Sequence, residues 1–256
     1  LQDAYATMPM HCLPPFYPDD TGRACTYLVN PTGGFVGGDR VEVDISLGER
    51  TRVFLTTQSA TRVYRSTGAC SSQEITVRVG EDAVFEYLPG YVIPFAGSLY
   101  RQATRVHLEK NGIALISDSF TTGRLARGEH LMFDEYDSSL EIDFDGEPLV
   151  YDRFILKPKE IDCGGIGLLE SHCIVSSLYL IFEDREEEQP LIESLRGLLD
   201  RSEGVVGGVS SLRSRGLVIR LLGTGTRHLE RVTSRLWFIA GRILFPGERR
   251  SECRFW

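Results

Sequence analysis

The chain has no apolar run near the ~18 residues that a bilayer crossing needs, so it is expected neither to span nor to anchor in a membrane. It has no secretory leader pattern. It is poor in clustered basic residues: 28 Lys and Arg stand against 36 Asp and Glu, a formal charge of -8. Nucleic acid is therefore not an expected partner, because phosphate neutralisation needs grouped Lys and Arg. The six cysteines, at 12, 25, 70, 163, 173 and 253, have no short framework spacing. They read as free thiols in a reducing cytosol, so a cytoplasmic location is expected. Five histidines are scattered. Met10-His11-Cys12 offers soft ligands without a second pair nearby, so no tight metal site is expected. No Ser-His-Asp order, paired carboxylate motif, internal repeat or phosphate-binding glycine pattern is visible, and no catalytic residue is nominated.

What is present begins with a glycine loop. Residues 30–40 read N-P-T-G-G-F-V-G-G-D-R, with the pairs Gly33-Gly34 and Gly37-Gly38. Such pairs occur where the backbone takes positive φ or comes very close to other atoms. Val41, Val43, Ile45 and Leu47 then alternate with polar residues, the period of a strand with one buried face. The loop thus sets Asp39 and Arg40 at the mouth of a strand. It reads either as a plain turn or as a functional loop whose acid points at something.

Strand follows strand to about Pro158. Val53, Leu55 and Thr57 alternate, and Thr61, Val63 and Arg65 resume out of phase after Gln58-Ser59-Ala60, the mark of a bulge or bend. The hydroxyls of Thr56, Thr57, Ser59 and Thr61 have no histidine nearby to activate one, and read as partners for neighbouring backbone. Glu86 sits inside an apolar run before the turn Pro89-Gly90, and Tyr91 to Phe95 reads as an edge piece. Asn111-Gly112 and Asp145-Gly146 both read as hairpin turns. Asp118 interrupts an otherwise strand-like run, where a lone acid usually marks a strand end in water. In T-T-G-R-L-A-R-G-E at 121–129, Arg124 or Arg127 can hold Glu129 in a fork.

After Lys157-Pro158-Lys159 the pattern changes. Pro190 opens a helix with Leu191, Ile192, Leu195, Leu198 and Leu199 on one face, and Thr226 reads as the cap of a longer one carrying Leu229, Val232, Leu236, Trp237 and Ala240. The fold class expected is mainly β. It is a large antiparallel β sandwich or coiled-sheet body over 1–160, with a small α/β part carrying two helices over 161–256, packed as one unit.

Four blocks then come in one order: the glycine loop, T-T-Q-S-A-T-R-V-Y-R-S at 56–66, F-E-Y-L-P-G with I-P-F-A-G at 85–97, and G-R-L-A-R-G-E at 123–129. With R-L-W at 235–237 and the terminal R-F-W, nearly the whole chain resembles the urease accessory protein UreD (UreH) family. Members usually start some tens of residues earlier, and they often end in P-R-I-W where Arg254-Phe255-Trp256 stands here. The resemblance implies a non-enzymatic scaffold that works with UreF and the GTPase UreG, docks on apo-urease and helps deliver Ni²⁺.

A conduit for a divalent cation needs weak successive acceptors, since tight sites would trap the metal. Within the family blocks Asp39, Thr61, Glu86, Asp118 and Glu129 are the candidate passage residues for Ni²⁺ in transit. Gly33, Gly34, Gly37, Gly38, Arg124 and Arg127 would support them. The competing reading is that these acids pair with arginines to hold loops. Tyr91, Phe95, Trp237, Arg254 and Trp256 are candidates for partner docking. Two other classes stand beside this one: a β-rich carbohydrate-active hydrolase, with Glu86 and Glu129 facing across an open groove, and a β interaction module with no metal role.

Overall fold

The structure, a computed structural model, describes residues 1–183, 186, 188–213 and 215–249. The expected docking residues Arg254 and Trp256 lie outside the described residues. Chain order begins β1 (His11–Cys12), β2 (Ala24–Val29), β3 (Arg40–Leu47), β4 (Arg52–Thr57), β5 (Thr61–Val63), β6 (Ser71–Val79), β7 (Val84–Leu88) and β8 (Val92–Pro94). It continues with β9 (Leu99–Leu108), β10 (Ile113–Thr121), β11 (Glu135–Phe144), β12 (Glu147–Leu156) and β13 (Ile174–Ile181). Then come α1 (Glu188–Leu199), β14 (Val205–Ser211), β15 (Gly216–Gly223) and α2 (Thr226–Leu244).

The body is the coiled alternative, and most pairing inside it is parallel. One sheet runs β1-β2-β4-β7-β10-β13-β15-β14, with β5 and β8 attached; the other runs β12-β11-β9-β6-β3. Successive strands cross from sheet to sheet, so β3, β6, β9 and β11 stack in parallel, as do β4, β7 and β10. The Asn111-Gly112 turn therefore joins two sheets and closes no hairpin. Alternating burial is the same for parallel and antiparallel strands, which is why periodicity could not separate them. Asp145-Gly146 does close a hairpin, β11 with β12.

The coil has a repeat that residue identity hides. Leu47, Val79, Leu108 and Phe144 stand in one row across four strands. Three residues after the first three of these come Arg50, Asp82 and Asn111, all left-handed, with φ of 54°, 55° and 55°. The corners stack: Arg50 N–H donates to Glu81 O at 2.9 Å, and Asp82 N–H to Lys110 O at 3.1 Å. Stacking satisfies the donors, which offsets the roughly 1–2 kcal/mol that each left-handed residue costs.

Parity assigns the faces. On β10, Ala114 and Ile116 point between the sheets, where they meet Val77, Val106 and Ile142; Leu115 points outward. The outward face is covered by α1 and α2 through Leu191, Leu195, Leu236 and Trp237. Helix α2 has Gly225 as its N-cap in place of the expected Thr226, with no side-chain cap bond. Strands β13, β15 and β14 continue the sheet of β10, so the later part shares the sheet of the earlier one.

Candidate functional site

The first sheet has a hole in it. Strand β10 pairs with β7 as far as Ile116↔Tyr87 and meets β8 again only at Phe120↔Val92. Between these, Ser117, Asp118 and Ser119 have no strand partner on that side. The neighbouring strand breaks at the same level, from Thr57 to Thr61. Pro89 has no N–H to give and Gly90 turns the chain, so the β7 ladder stops there. The hydroxyls tie the bends together: Thr57 Oγ1 donates to Ser59 O at 2.9 Å and accepts from Gly90 N at 2.9 Å, while Thr56 Oγ1 donates to Leu88 O at 2.6 Å. The out-of-phase segment at 58–60 is thus a bend, and Thr56 and Thr57 do satisfy backbone.

A cavity of about 70 Å³ lies beside the hole, running from exposed Gln58 and Ser59 to Asp118 and lined also by Gly33, Gly34 and Thr61. The glycine loop forms part of its wall. Gly34 takes φ 155°, and a Cβ there would lie 2.3 Å from Arg62 O, so only glycine permits the Phe35 N–H to Arg62 O bond of 2.8 Å. A second cavity, about 270 Å³, opens on the other side of Asp118 between the two sheets. Asp118 and Leu140 line both.

Asp118 is surrounded by protein, yet it keeps accessible surface because that surface faces the cavities. Gln102 Nε2 donates to its Oδ1 at 2.8 Å and Ser138 Oγ to its Oδ2 at 2.5 Å. Gln73, Gln102 and Ser138 form one inward row on the second sheet, a polar stripe facing β10. Burial pushes the Asp118 carboxyl up; the Ser138 and Gln102 bonds pull it partly back, and nearby Asp152 adds to the rise. Among the described residues no cation pairs with it. At the far mouth Arg220 Nη2 lies 2.7 Å from Asp152 Oδ2, which also accepts from Tyr179 OH.

The other nominated acids stand elsewhere. Glu86 is a correction: it lies on the outward face of the sheet, opposite in parity to Asp118, and outside the lining of both cavities. Arg23 Nη1 donates to Glu86 Oε1 at 3.4 Å and Trp237 Nε1 to its Oε2 at 2.9 Å, beneath α2. Asp39 closes its own turn, accepting from Val36 N at 2.9 Å beside Gly37 and Gly38. Glu129 accepts from Arg124 Nε at 2.8 Å and Ala96 N at 3.1 Å; the Arg124 bonds hold its carboxyl below the usual range. The fork is made by Arg124, which also lies 4.1 Å above the Phe95 ring; Arg127 is exposed. Trp237 is 5% exposed and belongs to the core, which removes it from the docking candidates. Phe95 is half-covered by Arg124 and Tyr64. Tyr91 is half-buried, and burial, with the charge of Glu230, pushes its hydroxyl up.

Sequence reading therefore nominated Asp118, Thr61, Gly33 and Gly34 on the cavity. It missed Gln102, Ser138, Asp152, Arg220 and Glu230, which ordinary strand and helix positions conceal. Their one signal was parity: Gln73 and Gln102 occupy inward positions of apolar strands. Among the described residues no three His, Cys, Asp or Glu side chains converge as metal ligands, and no helix is long and apolar enough to cross a membrane.

The family model described as UreD urease accessory protein matches residues 1–256. The chain is similar to the urease accessory protein UreD of Microcystis aeruginosa, 32% identical over 97% of this chain and 90% of that one. It is also similar to UreD of Mycolicibacterium gilvum, 31% identical over 96% and 87%. Urease accessory protein UreH of Helicobacter pylori is 29% identical over 90% and 84%. By this match across its whole length, the chain belongs to the UreD urease accessory protein family.

Proposed function

We propose that the chain is a non-catalytic maturation scaffold that links UreF, and through it UreG, to apo-urease, and that Ni²⁺ passes through its interior. The observation that carries this reading is Asp118, an acid shared by two cavities whose partners among the described residues are neutral. A charge so placed attracts a divalent cation, while one carboxylate with an amide and a hydroxyl is too few ligands to retain it. Thr61 and the loop Gly33-Gly34 line the first cavity. Asp152 lines the second, already bonded to Arg220 and Tyr179. Such work fits the cytoplasm, where the cavity acids meet the metal without an oxidising environment closing the free thiols.

The hydrolase alternative requires two carboxyls facing across an open cleft. Glu86 is 0% exposed and sealed by Trp237, and Glu129 is held by Arg124, so that pair does not face a cleft. The metal-independent module remains the competitor to beat. Apo-urease reconstituted with UreF, UreG, GTP and nickel, with and without this chain, tests the reading: activation should require the chain. Equal activation without it contradicts the proposal.

A further inference from the structure

A further cavity borders the hole in the first sheet. On its outward side, under α2, is a small cavity of about 40 Å³ lined by Gly90, Tyr91, Ser119, Glu230, Thr233 and Ser234 among others. Pro89, Gly90 and Ser119 line this cavity and also the one that reaches Asp118. The small cavity therefore shares a wall with that space at the broken rung of the sheet, where β7 and β8 leave β10 unpaired. Its volume exceeds the ~10–15 Å³ that one water requires.

Polar groups mark both sides of the break. Ser117 is 2% exposed, lines the first cavity, and its Oγ has no hydrogen-bond partner among the described residues. A buried hydroxyl left so is destabilising unless something from outside the chain binds it. Ser119 Oγ donates to Ser176 Oγ at 2.7 Å. Glu230, half-buried on α2, lines the small cavity together with Tyr91.

We propose that the passage has a branch through this break, and that Glu230, with the hydroxyls of Tyr91, Thr233 and Ser234, is a transient oxygen site for a hydrated divalent cation where the branch reaches α2. The ligand class follows from the donors, which are one carboxylate and hydroxyls only. The inference rests on the conduit reading. It goes further by giving that conduit a route through the sheet and a residue on the helix layer.

The test compares three full-length variants, Glu230→Gln, Glu230→Asp and Asp118→Ala, in the reconstituted activation of apo-urease with nickel varied. Assembly is followed by gel filtration. Glu230→Gln should slow activation at limiting nickel by about tenfold, the size of one charge-assisted contact. Raised nickel should relieve that loss, Glu230→Asp should keep most of the rate, and assembly should stay intact. Normal activation by Glu230→Gln with slow activation by Asp118→Ala would overturn the branch and leave the main passage standing. Normal activation by both would overturn both. A loss in Glu230→Gln that nickel does not relieve, or that comes with failed assembly, would make Glu230 structural and also overturn the branch.

Discussion

Glu86 and Asp118 sit on adjacent strands of one sheet, each interrupting an apolar run, and the structure uses them in opposite ways. Glu86 faces the helices, takes bonds from Arg23 and Trp237, and ties the sheet, α2 and the segment before β2 together. Asp118 faces the other sheet, takes side-chain bonds among the described residues from Gln102 and Ser138, and keeps surface open to two cavities. An enclosed acid with a cation beside it is a strut. One whose partners are neutral retains an unmet charge, which is what a transport site needs.

The largest expected effect comes from breaking the strut. Glu86→Ala leaves the enclosed Arg23 with Asp19 but takes away its second acid, and removes the acceptor of Trp237 Nε1, so it should cost about 3 kcal/mol in urea unfolding. Replacing both by apolar residues, Glu86→Leu with Arg23→Met, should recover only part of it, because Asp19 then loses Arg23 and Trp237 Nε1 loses its acceptor. If the double variant is as unstable as the single, Glu86 is more than a strut.

Asp137 extends the comparison to the outer face of the second sheet. Its side chain is 3% exposed, and Arg153 and Arg101 clasp it from more open positions. Those bonds, Arg153 first, hold its carboxyl below the usual range. Asp137→Asn should cost about 1–2 kcal/mol, reduced because both arginines are partly in water. The contribution of a depressed carboxyl is complete above its unfolded value of ~3.9 and disappears as pH falls through the lower folded value. Stability measured from pH 6 to 2 should therefore fall less steeply in Asp137→Asn than in the parent.

Asp118 should show the reverse sign. Its folded carboxyl is raised, so the penalty for holding it charged is absent below ~3.9 and grows as pH rises through the folded value. Asp118→Asn should leave stability at pH 4 unchanged and increase it at pH 7, by about 1 kcal/mol. A loss of stability at pH 7 would place Asp118 with the struts. The smallest effect is expected at Asp39, whose bond to Val36 N lies in a half-exposed turn. Asp39→Ala should cost about 0.5–1 kcal/mol and leave the cavities unaltered, as thermal unfolding and activation can both check.

Much of this was legible in the residues, for identifiable reasons. Alternation in 41–47, 75–79 and 140–144 gave the strands, and the 3–4 spacing after Thr226 gave α2. The bend at Gln58-Ser59-Ala60 and the turn at Pro89-Gly90 were each visible, but their alignment at one level was not. That depends on register between strands some thirty positions apart. The coil was hidden for a similar reason. Its repeat lies in a backbone angle, at Arg50, Asp82 and Asn111, where three different side chains occupy one conformation. Gly48-Glu49 and Gly80-Glu81, each just before a left-handed residue, were its only trace. Glu86 misled because a single period-two parity separates the cavity face from the helix face.

The central claim is that Asp118 serves a passing cation and does not serve the fold. The direct measurement is the initial rate of apo-urease activation by the Asp118→Asn chain, assembled with UreF and UreG, across a nickel titration. The account predicts an intact complex, undiminished stability, and activation slowed by about tenfold or more at limiting nickel. Parental rates at every nickel concentration would contradict it.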